Sequence, residues 1–233
     1  MNTLNSAPGA LIQDPAFALT FRLRQPANKP FRACVILLHG VGGNETNLFD
    51  LVADLAPDIL VIAARAPLTL APGQFAWFNV SFGSNGPSID AKQAEQSRQQ
   101  LDQFVKQCQQ TYGIAPERTI IAGFSQGGIM SASLALTSPE RVAGFGLLSG
   151  RILPEIEPHL ASRSALSPLR AFVAHGEYDS KLPVSWAQRS DEWLTQLGVS
   201  HISRRYPIDH GISAAMAHDF LAWLETLIAN EAN

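Results

Sequence analysis

Short, unbroken apolar runs recur along this chain and set its reading. ACVILLH (33–39), ILVIAAR (59–65), RTIIAGF (118–124), VAGFGLLS (142–149) and LRAFVAHG (169–176) are continuous rather than alternating, and several are rich in β-branched residues. Runs of that kind predict strands covered on both faces, as in a parallel sheet. FALTFRLR (17–24) alternates instead and predicts an antiparallel edge strand, while HISRRYP, from His201, predicts a further strand.

Helical spacing fills the intervals. Thr46 is placed to cap a short helix carrying Leu48, Leu51, Val52 and Leu55. A glutamine-rich helix is expected from Ser88, with Leu101, Phe104, Val105, Cys108 and Tyr112 on one side. Pro183 can open a helix bearing Trp186, Trp193, Leu194 and Leu197 that Gly198 closes; the last helix carries Met216, Phe220, Trp223, Leu224 and Leu227. Strand and helix in alternation imply one α/β domain over residues 1–233, a mostly parallel central sheet with helices on both faces. Residues 1–16 read as an irregular N-terminal segment. The stretch LTLAPGQFAWFNVSFGSNGPS (68–88) shows no helical or strand period, and its aromatics, glycines and prolines suit a substrate-covering loop, a pinned surface loop or a contact in a homodimer.

Composition narrows the partners. A net charge of −3 with 16% charged residues and no block of like charges gives no footprint for nucleic acid. No run approaches a membrane span and the N-terminus lacks a basic and then apolar leader pattern, so the expectation is a soluble cytoplasmic protein acting on a small molecule. Cys34 and Cys108 lie in apolar runs, which favours two buried thiols over a disulfide.

Chemistry enters at AGFSQGGIM (122–130). Gly123-Phe124-Ser125-Gln126-Gly127 satisfies G-x-S-x-G, a pattern that chance alone would place in a chain of this length about one time in ten. Its setting is more specific: TIIAGF reads as a strand and GGIMSASLALTS as a helix, the strand-turn-helix of a nucleophile elbow. In so tight a turn side chains at 123 and 127 would collide with the backbone, which is why glycine stands there; a serine N-cap is the ordinary alternative.

A serine hydroxyl needs a base within hydrogen-bond reach, and the base needs a third group to orient it. In an α/β-hydrolase the acid and then the histidine follow the serine in the chain. Of six histidines, His39, His159 and His175 precede the acid candidates, His201 starts a strand and His218 sits within a helix. His210, in the loop YPIDHGIS, is the candidate base. For the acid, HGEYDSKLP offers Asp179 ahead of Glu177, and Asp209 should project away from its neighbour His210. Oxyanion donors are expected at the Gln126 N–H and, from the glycine-rich LLHGVGGN (37–44), at the Val41 N–H. That loop lacks the Lys-Ser/Thr of a phosphate loop.

Taken together, VILLHGVGGNE, AWFNV, IIAGFSQGGIMS, GLLSGRILP, AHGEYDSKLP and YPIDHGIS resemble the phospholipase/carboxylesterase family of α/β-hydrolases, which includes acyl-protein thioesterases and bacterial carboxylesterases. The resemblance runs from about residue 33 to the C-terminus. It implies a metal-free, cofactor-free serine esterase with Ser125, Asp179 and His210 as triad, oxyanion donors at Val41 and Gln126, and the segment around Trp77 and Phe78 over the acyl pocket. SKLP departs from the small apolar pair the family often has before the proline, which bears on the pocket wall near Leu182. The expected reaction is hydrolysis of carboxylic esters of short to medium acyl chains, with Phe75, Trp77, Phe78 and Leu182 against the substrate. Thioester or lysophospholipid hydrolysis would use the same residues; a silent binding module and an interaction protein are the readings outside catalysis.

Overall fold

The computed structural model of the protein describes residues 8–26, 30–83 and 86–230. Residues 1–7 of the N-terminal segment, and 84 and 85 of the expected substrate cover, lie outside the described residues. The strands are β1 Phe21–Arg24, β2 Ala33–Leu38, β3 Ile59–Ala64, β4 Leu68–Ala71, β5 Gln74–Ala76, β6 Val80–Gly83, β7 Gly86–Ile89, β8 Thr119–Phe124, β9 Gly144–Leu148, β10 Arg170–Gly176 and β11 Ser200–Tyr206. The helices are α1 Ala91–Tyr112, α2 Gln126–Thr137, the single turn α3 Arg163–Leu166, α4 Ser185–Leu197 and α5 Ala214–Asn230.

Seven strands form the central sheet in the order β1-β3-β2-β8-β9-β10-β11. Every pairing in it is parallel except β1 with β3, where Phe21 faces Ala64 and Arg24 faces Val61. The alternating run thus becomes the antiparallel edge and the continuous runs become inner strands.

Side chains of one strand feed two cores. In β2, Ile36 and Leu38 join Leu101 and Phe104 of α1 and Ile129 of α2 on one face. Val35 and Leu37 join Met216, Phe220 and Leu224 of α5 on the other. With both faces apolar, no residue of β2 or β3 meets water, and the continuous hydrophobicity of these strands follows from that. The central strands all run toward one edge, where the loops after β2, β8, β10 and β11 collect; in open α/β sheets that edge is where ligands bind.

Three expectations are corrected. The described residues of 68–88 are not irregular: they contain two short antiparallel strand pairs, β4–β5 and β6–β7. Strands of three or four residues are too short to show a period, and Pro72-Gly73, with Gly73 at φ +74°, makes the first reversal. No helix is capped by Thr46: its Oγ1 donates to Asn44 Oδ1 at 2.6 Å, and only the 3-10 turn Asp50–Val52 forms, although Leu48, Leu51, Val52 and Leu55 are all buried. The long helix starts three residues later than expected, at Ala91, because Asp90 rather than Ser88 is the cap and accepts from Gln93 N–H at 3.0 Å; Ser88 lies in β7.

Candidate active site

The turn after β8 sets the geometry. Ser125 takes φ +54° and ψ −117°, outside the regions open to most L-residues, a strain of about 1–3 kcal/mol that the surroundings must hold. Ser125 N–H donates to Leu148 O of β9 at 2.8 Å, and Ser125 O accepts from Ile129 N–H of α2. A Cβ on Gly127 would fall inside the van der Waals shell of the Leu38 carbonyl, and one on Gly123 would overlap Gly127 itself. Strand, turn and helix can therefore close up only with glycine at both positions.

The structure brings Ser125, His210 and Asp179 into one hydrogen-bonded line. Ser125 Oγ is 3.0 Å from His210 Nε2, and His210 Nδ1 is 2.8 Å from Asp179 Oδ2. Asp179 is buried, and its Oδ1 accepts from the N–H groups of Lys181 and Leu182 at 2.9 and 2.8 Å. A carboxylate placed so can only accept at Oδ2, which fixes the proton of His210 on Nδ1 and leaves Nε2 free to accept from Ser125. Phe124 packs on the imidazole with ring centroids 5.0 Å apart.

The acid and histidine loops are laced to each other. Asp209 accepts from Ser180 N–H and Oγ at 2.7 and 3.2 Å, and Tyr178 N–H donates to Ile208 O. Asp209 thus faces the acid loop and not the imidazole of its neighbour, although it sits in a bend rather than an extended segment and its Oδ1 also accepts from His210 N–H at 2.7 Å. Glu177 is exposed, and its N–H donates to Tyr206 O. Neither His201, whose Nδ1 lies 3.0 Å from Val199 O, nor His218 lines the cavity over Ser125.

Opposite the serine stands the loop after β2. Gly40, Val41, Ser125 and Gln126 all border one cavity, and a Cβ on Gly40 would come within 3.3 Å of Ser125 Cβ. Gln126 is the first residue of α2, so its N–H is one of the donors that a helix leaves without an internal partner. The loop is braced from below: Gly42 N–H donates to Phe75 O at 2.8 Å, and Phe75 N–H to Gly43 O at 2.9 Å. His39 accepts from Ala66 N–H at Nε2 (3.1 Å), so Nδ1 carries its proton toward Gly40 O at 2.7 Å. Burial holds its pKa below the usual histidine range, in keeping with this neutral form.

The cavity has a volume of about 230 Å³ and an apolar wall that includes Phe78, Val80, Ile89, Ile129 and Leu182. Phe78 and Leu182 are there as expected; Phe75 and Trp77 are not. Trp77 is wholly buried, drawn beneath the site because its Nε1–H donates to His39 O at 3.0 Å. Phe75 lies against the Arg65 guanidinium, 4.4 Å from its ring centroid. The amide of Gln126 ties hairpin to elbow, accepting from Trp77 N–H at 3.0 Å and donating to Phe78 O at 2.8 Å. Sequence reasoning missed Val80 and Ile89, which the hairpins deliver, and Arg151, which sits in the quoted GLLSGRILP without any motif to single it out.

The model of the phospholipase/carboxylesterase family matches residues 23–228. The chain belongs to that family. Its members are serine hydrolases, so this protein is an enzyme of that type. The acyl-protein thioesterase 1 of Emericella nidulans is 26% identical over 230 residues, 88% of this chain and 95% of that protein. Among solved structures, a carboxylesterase from Mesorhizobium loti superposes with a TM-score of 0.79 at 24% identity, covering 93% of this chain and 98% of that one. The acyl-protein thioesterase 2 of Zea mays gives 0.71 at 20% identity over 89% and 98% of the two chains. The likeness to these solved structures is one of fold, and that fold is the α/β-hydrolase fold. Among the described residues no helix is long and apolar enough to cross a membrane.

Proposed function

We propose that this family member hydrolyses carboxylic esters of short to medium acyl chains through an acyl-enzyme on Ser125. The observation that carries the reading is the line Ser125 Oγ, His210, Asp179, with spacings of 3.0 and 2.8 Å, opening on a mainly apolar cavity. His210 Nε2 takes the Ser125 proton as Oγ attacks the ester carbonyl, and Asp179 stabilises the imidazolium that results. The Val41 and Gln126 N–H groups hold the oxyanion, aided by the positive end of α2. His210 returns the proton to the departing alkoxide, then draws a proton from water so that the acyl-enzyme is hydrolysed.

The cavity of about 230 Å³ has room for a short acyl chain, since a dry cavity of about 150 Å³ accommodates benzene. The same residues would serve a thioester, a reading supported by the names of relatives such as the Emericella nidulans thioesterase. Cys34 and Cys108, both buried free thiols, suit a reducing compartment and hence the cytoplasm. A chain-length series of paired esters and thioesters, with the Ser125→Ala variant as blank, tests the reading. Turnover by that variant close to the unsubstituted enzyme would refute it.

A further inference from the structure

Arg151 stands in the wall of the cavity with no anion in direct contact; the exposed Glu155 acts on it only from a distance. Arg151 follows β9 through Ser149 and Gly150, and a Cβ on Gly150 would come within 3.0 Å of Ser125 O, so its backbone runs beside the serine. The residue is only 6% exposed, yet it borders the same cavity as Ser125 and His210. Its guanidinium lies over the Trp186 ring, 4.4 Å from the centroid. Among the described residues it forms no salt bridge and no side-chain hydrogen bond. No aspartate or glutamate lines the cavity, and the second cation there, Lys181, is exposed.

Burying a guanidinium away from water is costly unless its charge and donors are met, and the indole face offsets only part of that cost. Desolvation lowers the Arg151 pKa, opposed in part by the charge of Glu155, and arginine remains protonated near neutral pH. A pocket meant for a neutral acyl chain gains nothing from such a group. A planar fork of N–H donors held rigid on an indole matches a carboxylate, which can accept two parallel hydrogen bonds.

We propose that Arg151 is a specificity determinant and that the preferred substrates are small esters bearing a free carboxylate, which the Arg151 guanidinium receives while Ser125 faces the ester carbonyl. The inference rests on the ester-hydrolase reading. Trp186 of α4 backs the fork, and Ser190 Oγ of the same helix accepts from Ile152 N–H at 3.4 Å, which ties the backbone beside Arg151 to α4.

The test compares kcat/KM within two isosteric pairs, followed by proton release at constant pH. Monomethyl succinate against methyl 4-methylpentanoate places the carboxylate on the acyl side; acetoxyacetate against isobutyl acetate places it on the alcohol side. The expected result is a preference of at least tenfold for the anionic member of one pair. Arg151→Met should cut that ratio at least tenfold, and Arg151→Gln, which retains donors over the indole without the charge, should cut it nearly as far. Lys181→Ala should change it by less than threefold. An unsubstituted enzyme with no anionic preference in either pair overturns the proposal, whatever the variants do. So does a preference that survives loss of the Arg151 charge or follows Lys181 instead. Absence of turnover on all four esters would refute the ester-hydrolase reading itself, a different failure from turnover without preference.

Discussion

Asp179 Oδ2 lies 2.8 Å from His210 Nδ1, while Oδ1 of the same carboxylate is taken by the N–H groups of Lys181 and Leu182. The backbone bonds hold the carboxylate in one rotamer and aim its other oxygen at the imidazole. An amide in its place could turn its NH2 toward Nδ1 and stabilise the tautomer with the proton on Nε2, where it cannot accept from Ser125. Asp179→Asn is expected to keep the fold and lower kcat about 10⁴-fold, the scale seen when the acid of a serine triad is so replaced. Steady-state kinetics on a short acyl ester, alongside a thermal melt, would check both halves.

The elbow makes a second prediction about stability. Gly127→Ala puts a methyl group into the Leu38 carbonyl of β2, and backbone on both sides leaves nowhere for it to go. A loss of about 3 kcal/mol or more is expected from strain of this kind. For a domain of this size that is a fall in Tm of about 6–12 °C, measurable by calorimetry.

Glu45 should govern behaviour in acid. Buried beneath β1 and β3, it receives Arg65 at 2.8 and 2.9 Å and Arg22 at 3.1 Å. Burial raises its pKa, but hydrogen bonds from Arg65, its own backbone N–H and Arg22 outweigh that and hold the carboxyl at about 2. A pKa depressed on folding means that the contribution is complete above the unfolded value, about 4.3, and is lost as pH falls through about 2. Denaturant midpoints should therefore drop between about pH 5 and 2, and Glu45→Gln should flatten that drop. At neutral pH the same variant strands Arg65 and should cost about 3 kcal/mol.

What the sequence disclosed, and what it hid, divides along physical lines. Continuous apolar runs report burial on two faces, so the inner strands β2, β3, β8, β9 and β10 were legible almost to the residue. Ser125 carries a motif, and chain order directed attention to Asp179 and His210, which the fold brings within hydrogen-bond reach of one another. The hairpins were illegible because their pairing is only three or four residues deep, and β5 is also held by a tertiary contact, Phe75 with the Gly42 and Gly43 backbone, that local sequence does not report. The same tertiary contacts explain Phe75 and Trp77: an aromatic composition suggests an apolar surface, but the Trp77 bond to His39 O decides which way the ring turns. Arg151 was invisible for a different reason, since a lone arginine in sequence is ordinarily a solvated one.

His175 offers the last prediction. It precedes the acid by four residues, is completely buried, and its Nε2 stands 2.7 Å from Leu182 O and 3.3 Å from Asp179 Oδ2. Since Leu182 O can only accept, Nε2 carries the proton, and that N–H points between the carbonyl and the carboxylate oxygen that His210 also meets. Nδ1 has no partner among the described residues, and burial keeps the imidazole pKa below the usual range, so the ring stays neutral. His175 thus acts as a positioning residue: it holds the turn at Leu182, whose N–H in turn holds Asp179. In His175→Phe, ring volume remains but the donor is gone, leaving Leu182 O unpaired in the interior. Stability should fall by about 1–3 kcal/mol, the cost of one orphaned buried acceptor. If Asp179 then loses its fixed direction, kcat should fall by about tenfold or more while KM stays within about twofold, because an interaction made in the transition state is weakened and ground-state binding is not. An equal rise in KM with kcat intact would instead assign His175 to the pocket wall alone.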